Sequence, residues 1–162
     1  HTLRWPLDVQ VAGPLEPLQA HLAAHGWEAQ EQADWVATLG LLDDDIEPQE
    51  QPVLPATLDT EAETLLLRRQ VTPEHAQVLR LWRAPVALAN GTPLWVGSVQ
   101  TLQFTRHFDL FGLWQPRPDG HAAWDDLREA VEGLDARIEP HPRSGLPVMR
   151  LRTVPMANAG LH

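Results

Sequence analysis

Residues 78–99, VLRLWRAPVALANGTPLWVGSV, decide the reading of this chain. Two apolar, β-branched-rich runs flank Asn90-Gly91, a pair that tolerates the positive φ angles of a type I′ turn. Closing a two-residue turn there sets Ala89 against Thr92, Val86 against Trp95 and Trp82 against Val99. Period-2 alternation then gathers Trp82, Val86, Leu88, Trp95 and Val99 on one face of a central β-hairpin. Arg80 shares that face, and Arg83 takes the other.

Outward from the hairpin, the elements fall in clusters. Residues 7–12 (LDVQVA) alternate as a first strand, and Gly13-Pro14 opens a helix that carries Leu15, Leu18 and Leu22 on one stripe and stops at Gly26. A second helix is expected over 34–42, with Asp34 as its cap. The Pro-, Glu- and Gln-rich stretch 46–62 reads as a long surface connection. Residues 64–70 and 76–89 are expected as strands joined by a turn at Pro73, and Pro85, lacking a ladder donor, marks an edge, a bulge or a bend. The strand after Gly91 continues towards Phe104, and a short strand follows over Leu110–Gln115. Trp124, Leu127, Val131 and Leu134 keep helical spacing after Gly120. Two short strands, Ala136–Glu139 and Val148–Val154, close the chain. Strands grouped between helices predict an α+β fold, a mainly antiparallel sheet with helices packed on one face.

Composition bounds the function by exclusion. The chain has 162 residues, enough for one domain over 1–162 with an ordered core of about 7–154. It opens on His1 rather than Met, which reads as a piece of a longer chain. Net charge is -10 and all 12 basic residues are arginine. An acidic chain without a basic cluster lacks the electrostatic footprint for nucleic acid, and no nucleic-acid partner is expected. No cysteine is present, which removes thiolate catalysis and zinc–thiolate sites. No run of 18 apolar residues appears.

The candidates for chemistry are few. His21 and His25 are four apart on the first helix, but further metal ligands are missing, so no metal or cofactor is expected. The run Asp43-Asp44-Asp45 reads as a solvated helix end, because an EF-hand's glycine and terminal glutamate are absent. His107 and Asp109 form an H-x-D pair in which the carboxylate could orient the imidazole for acid–base work, although no nucleophile elbow accompanies it. Seven of the ten aromatic residues are tryptophan. Arg80, Trp82, Arg83 and Trp95 converge on the hairpin, where arginine over indole could hold an anionic or planar ligand or brace a partner. The structural alternative makes the tryptophans core, with arginine stems packed over them.

The hairpin also resembles a known family. Arg80, Leu81, Trp82, Arg83, Pro85, Leu88, Gly91, Pro93, Leu94, Trp95, Val96 and Gly97 fit the pattern R-L-W-R-x-P-x-x-L-x-x-G-x-P-L-W-V-G of the LssY C-terminal domain. The opening DVQVAGPLEPLQAHLAAHGW, with Gly13, Leu15, Leu22, Gly26 and Trp27, and Trp35 in the following DWVATLGLL, is similar to the same domain's start. After Gly97 the chain departs from longer members, which carry a glycine- and histidine-rich segment there. The resemblance implies a soluble appendage of a bacterial membrane protein of the DedA or phosphatidic-acid-phosphatase-like type, and it transfers no catalytic residue. The expectation is therefore a non-enzymatic accessory domain at either side of the membrane. Arg80, Trp82, Arg83 and Trp95 would bind an anionic envelope or lipid-related ligand, or the membrane-spanning region of the same or a partner protein. The alternatives are a hydrolase or phosphoester-processing auxiliary using His107 and Asp109, and a gating or dimerisation module, for which a homodimer would suffice.

Overall fold

A long meander of β-strands forms the centre of the molecule. The computed structural model describes residues 7–30, 57–58, 61–62, 64–107, 111–117 and 121–153. Strands β5 (Leu65–Thr72) and β6 (His75–Ala87) turn at Pro73-Glu74, and β6 returns through the hairpin as β7 (Pro93–His107). Strand β8 (Phe111–Arg117) folds back on the far half of β7. The near half of β7 pairs with β1 (Val9–Ala12), which lies parallel to β10 (Pro147–Arg152); β9 (Asp135–Pro140) flanks β10. With the two-residue β2 (Glu28–Ala29), the order is β2-β5-β6-β7-β1-β10-β9, with β8 also on β7. Strands β3 (Thr57–Leu58) and β4 (Glu61–Ala62) make a separate two-stranded sheet. The described helices are α1 (Glu16–Ala23) and α2 (Ala122–Ala130).

This corrects the expected α+β class. The molecule is mostly β, built on an eight-stranded mixed sheet, with two short helices among the described residues. The β1–β10 pair is parallel and joins opposite ends of the chain, a long-range pairing that no local pattern announces. The helix expected over 34–42 and the Asp43–Asp45 run lie outside the described residues.

Alternation along the strands sorts the sheet into two faces. On one, Val9, Val11, Leu67, Leu79, Leu81, Val99, Met149 and Leu151 meet Leu18 and Leu22 of α1 and Trp124 and Leu127 of α2. Each such leucine removed from water contributes about 1.5–3 kcal/mol. Across the sheet, Leu66, Ala76, Val78, Leu102, Phe104 and Trp114 form a second cluster. Strand β6 is buried on both faces from Ala76 to Trp82, which explains its nearly continuous apolar run. Gln77 fastens α2 to the sheet: its amide donates to Asp126 Oδ2 at 2.6 Å, and Arg69 donates to Gln77 Oε1 at 2.7 Å.

The hairpin forms at Asn90-Gly91 in a different register from the expected one. Leu88 N–H donates to the Thr92 carbonyl and Gly91 N–H to the Leu88 carbonyl, enclosing a three-residue loop, Ala89-Asn90-Gly91. Gly91 carries φ +88°, and the Asn90 side chain accepts from Thr92 N–H. This is the pattern of a longer hairpin loop ending in a left-handed glycine. A bulge between Arg83 and Ala87, at Pro85, shifts the ladder again. Beyond it Arg83 opposes Trp95, Trp82 opposes Val96 and Leu79 opposes Val99. Gly97 lies between Leu81 and Val9, where a Cβ would overlap the Arg80 carbonyl oxygen.

Candidate functional site

The hairpin register splits the expected arginine–tryptophan cluster. Directly opposed residues share a face, so Trp95 goes with Arg83, and Trp82 goes with Arg80 on the other side. Arg80 and Trp82 are each only 3% exposed, and Arg80 donates to Gln100 Oε1 at 2.8 Å. They belong to the interior and offer no contact surface. Arg83 is exposed, with its guanidinium carbon 5.2 Å from the Trp95 ring, and the Trp95 indole donates to the Gly13 carbonyl at 2.9 Å. That pair braces the start of α1 against the hairpin.

The histidines are placed as follows. His107 ends β7, paired with Phe111, and Asp109 lies outside the described residues. His21 Nε2 donates to the Ala130 carbonyl at 2.8 Å and its ring stacks on His25 at 4.8 Å, so this nitrogen ties α1 to the end of α2. Among the described residues, no group of three or more histidine or acidic side chains could hold a metal ion.

A groove of about 350 Å³ opens on the face away from the helices, across β7, β1, β10 and β9. Two cross-strand rows floor it. One runs Gln10, Arg150, Arg137; the other runs Leu94, Ala12, Arg152, Asp135. Leu88 reaches in from the hairpin tip. Arg150 donates to Glu139 at 3.0 Å and Arg152 lies 4.0 Å from Asp135. The Arg137 side chain, directly opposite Arg150, makes neither an ion pair nor a hydrogen bond among the described residues. Among the described residues lining the groove, three arginines meet two carboxylates, on a chain of net charge -10. Like charges opposed across a ladder repel, and a bound anion would relieve that. The groove is cationic at β9–β10 and apolar at Leu88 and Leu94, a lining suited to an anionic group joined to an apolar portion.

Gln10, Arg137, Arg150 and Arg152 do not stand out in the sequence. Their signal is period-2 alternation in the closing strands, but only the β1–β10 pairing makes them neighbours. A second residue without a motif is Asp8, immediately before β1. Burial pushes its carboxyl up from 3.8 to about 6, against the opposing pull of the Asp8 and Val99 backbone N–H groups and of His121. Its Oδ1 is buried without a hydrogen-bond partner.

The chain belongs to the LssY C-terminus family, whose model matches residues 1–108. No curated protein and no solved structure matches it.

Proposed function

We propose that this domain is a non-catalytic accessory module that binds an anionic, lipid-related ligand in the β7–β1–β10–β9 groove. The observation that carries the reading is the juxtaposition of Arg137, Arg150 and Arg152 with apolar Leu88 and Leu94 along one groove. Guanidinium groups hold phosphate through paired, charge-assisted hydrogen bonds, while the leucines would accept the start of an alkyl chain. Family membership supports attachment to a bacterial membrane protein, with the domain presenting ligand to, or sensing it for, the membrane-spanning region. Among the described residues no helix is long and apolar enough to cross a membrane.

Titration calorimetry with a short-chain phosphatidic acid, its phosphatidylcholine counterpart and inorganic phosphate tests this. Saturable binding of the phosphatidic acid, weakened about a hundredfold by Arg150→Gln with Arg152→Gln, is expected; each lost charge-assisted contact accounts for about a decade. Tighter binding of phosphatidic acid than of inorganic phosphate would assign the apolar end. No binding of any of the three would end the proposal.

A further inference from the structure

Among the described residues, no strand pairs with the outer side of β9. Asp135, Ala136, Arg137, Ile138 and Pro140 are exposed, with Ile138 at 40%. Two bonds fix which way its peptides point. His141 N–H donates to the Leu146 carbonyl, continuing the β9–β10 ladder, and Met149 N–H turns the other way, to the Asp8 carbonyl. Alternation along an antiparallel pair then directs the Arg137 and Glu139 peptides to β10 and the Ala136 and Ile138 peptides outward. Each chain therefore presents an unpaired N–H and C=O at Ile138, with a salt-bridge-free arginine beside it.

We infer that β9 pairs antiparallel with β9 of a second copy of this chain, centred on Ile138. A two-fold axis normal to the sheet allows only registers in which some residue faces itself. Centring on Arg137 opposes two arginines and sets Asp135 against Glu139 of the partner subunit. Centring on Glu139 opposes two carboxylates. Centring on Ile138 places Ile138 on its own counterpart and Arg137 against Glu139 of the partner subunit, twice. Charges on an edge strand ordinarily discourage pairing; here they oppose the registers centred on Arg137 and on Glu139. Centring on Ala136, which sets Asp135 against Arg137 of the partner subunit, keeps only three residues of each β9 in the seam against five for Ile138. Ile138 exchanges both its hydrogen bonds across the seam, and Ala136 N–H reaches Pro140 of the partner subunit through its carbonyl. Pro140 itself, lacking an N–H, donates none. Both grooves then open on the same face of a continuous sheet, with Arg137 shared between groove and seam. This inference does not depend on the ligand.

Sedimentation velocity on the 162-residue chain, up to about 1 mM, the weak end of the affinity scale, tests it. The parent is expected to dimerise with concentration. Arg137→Glu sets carboxylate against carboxylate, and Glu139→Arg sets arginine against arginine, so each alone loses dimer at least tenfold. An equal mixture of the two variants regains it, because both cross-pairs become complementary, and the doubly swapped R137E/E139R chain dimerises by itself. Should a single variant fail to fold by circular dichroism, the doubly swapped chain decides. A parent that stays monomeric, single variants that dimerise as the parent does, a mixture of folded variants that stays monomeric, or a folded swapped chain that does not dimerise would each overturn the inference.

Discussion

Arg137 and Arg150 stand directly opposite each other across the β9–β10 pair, and the Glu139 carboxylate bonds only Arg150. Opposed like charges cost a sheet a few tenths to about 1 kcal/mol. Arg137→Gln is therefore expected to stabilise the dilute, ligand-free protein by up to about that much at low ionic strength. The gain should fade as salt screens these exposed side chains. Urea melts at low and high salt check both halves of the expectation.

The two hairpin arginines should behave differently, because the sheet separates them. Arg80→Ala removes a buried guanidinium hydrogen-bonded to Gln100 and is expected to cost about 2–3 kcal/mol. Arg83→Ala loses only an exposed contact with Trp95 and should cost at most about 1 kcal/mol. Equilibrium unfolding of the two single variants measures the difference; equal losses would contradict the register.

Two glycines mark close approaches. At Gly112 a Cβ would run into the Phe104 ring, and at Gly97 into the Arg80 carbonyl oxygen. A ring can tilt, whereas a backbone carbonyl held between two ladders can move only with the sheet. Gly112→Ala is expected to cost about 1–3 kcal/mol and Gly97→Ala to exceed it, read as the difference in their unfolding midpoints.

Asp8 makes stability depend on pH. Its carboxyl titrates near 6 in the fold and 3.8 as an unperturbed group, so between these values the folded state holds the extra proton. The favourable contribution is complete below 3.8 and is lost as pH rises through about 6. At neutral pH the buried carboxylate costs up to about 3 kcal/mol. Asp8→Asn should consequently stabilise the protein at pH 7.5 and change little at pH 3.5, as denaturant melts at the two values would show.

Much of the strand content was legible, and the places where legibility failed have physical causes. Pro73 and the Asn90-Gly91 pair announced their turns because local chemistry determines them. The Pro85 bulge was indicated by the missing donor, but its extra residues displaced the register and moved Trp82 away from Trp95. A two-residue loop and a three-residue loop use the same Asn-Gly signal, so the pairing could not be read from the turn alone. The helical stripes along the sequence suggest more helix than forms, since the described helices run to only 8 and 9 residues while the strands reach 13 and 15. The groove was illegible for another reason: Gln10 and Arg150 are cross-strand neighbours only through a parallel pair spanning most of the chain.

That parallel pair also orders the molecule's assembly. Strands β5 to β8 pair with their sequence neighbours and can zip together through tight turns, closing little chain entropy at each step. Joining Val9 to Met149 must instead close nearly the whole chain, so β10 docks on β1 after the meander is in place. Residues 1–108 end before β9 and β10 begin. A polypeptide emerging from the ribosome would thus hold the hairpin long before it holds the arginine groove, and binding there would report that folding had reached the C-terminal strands.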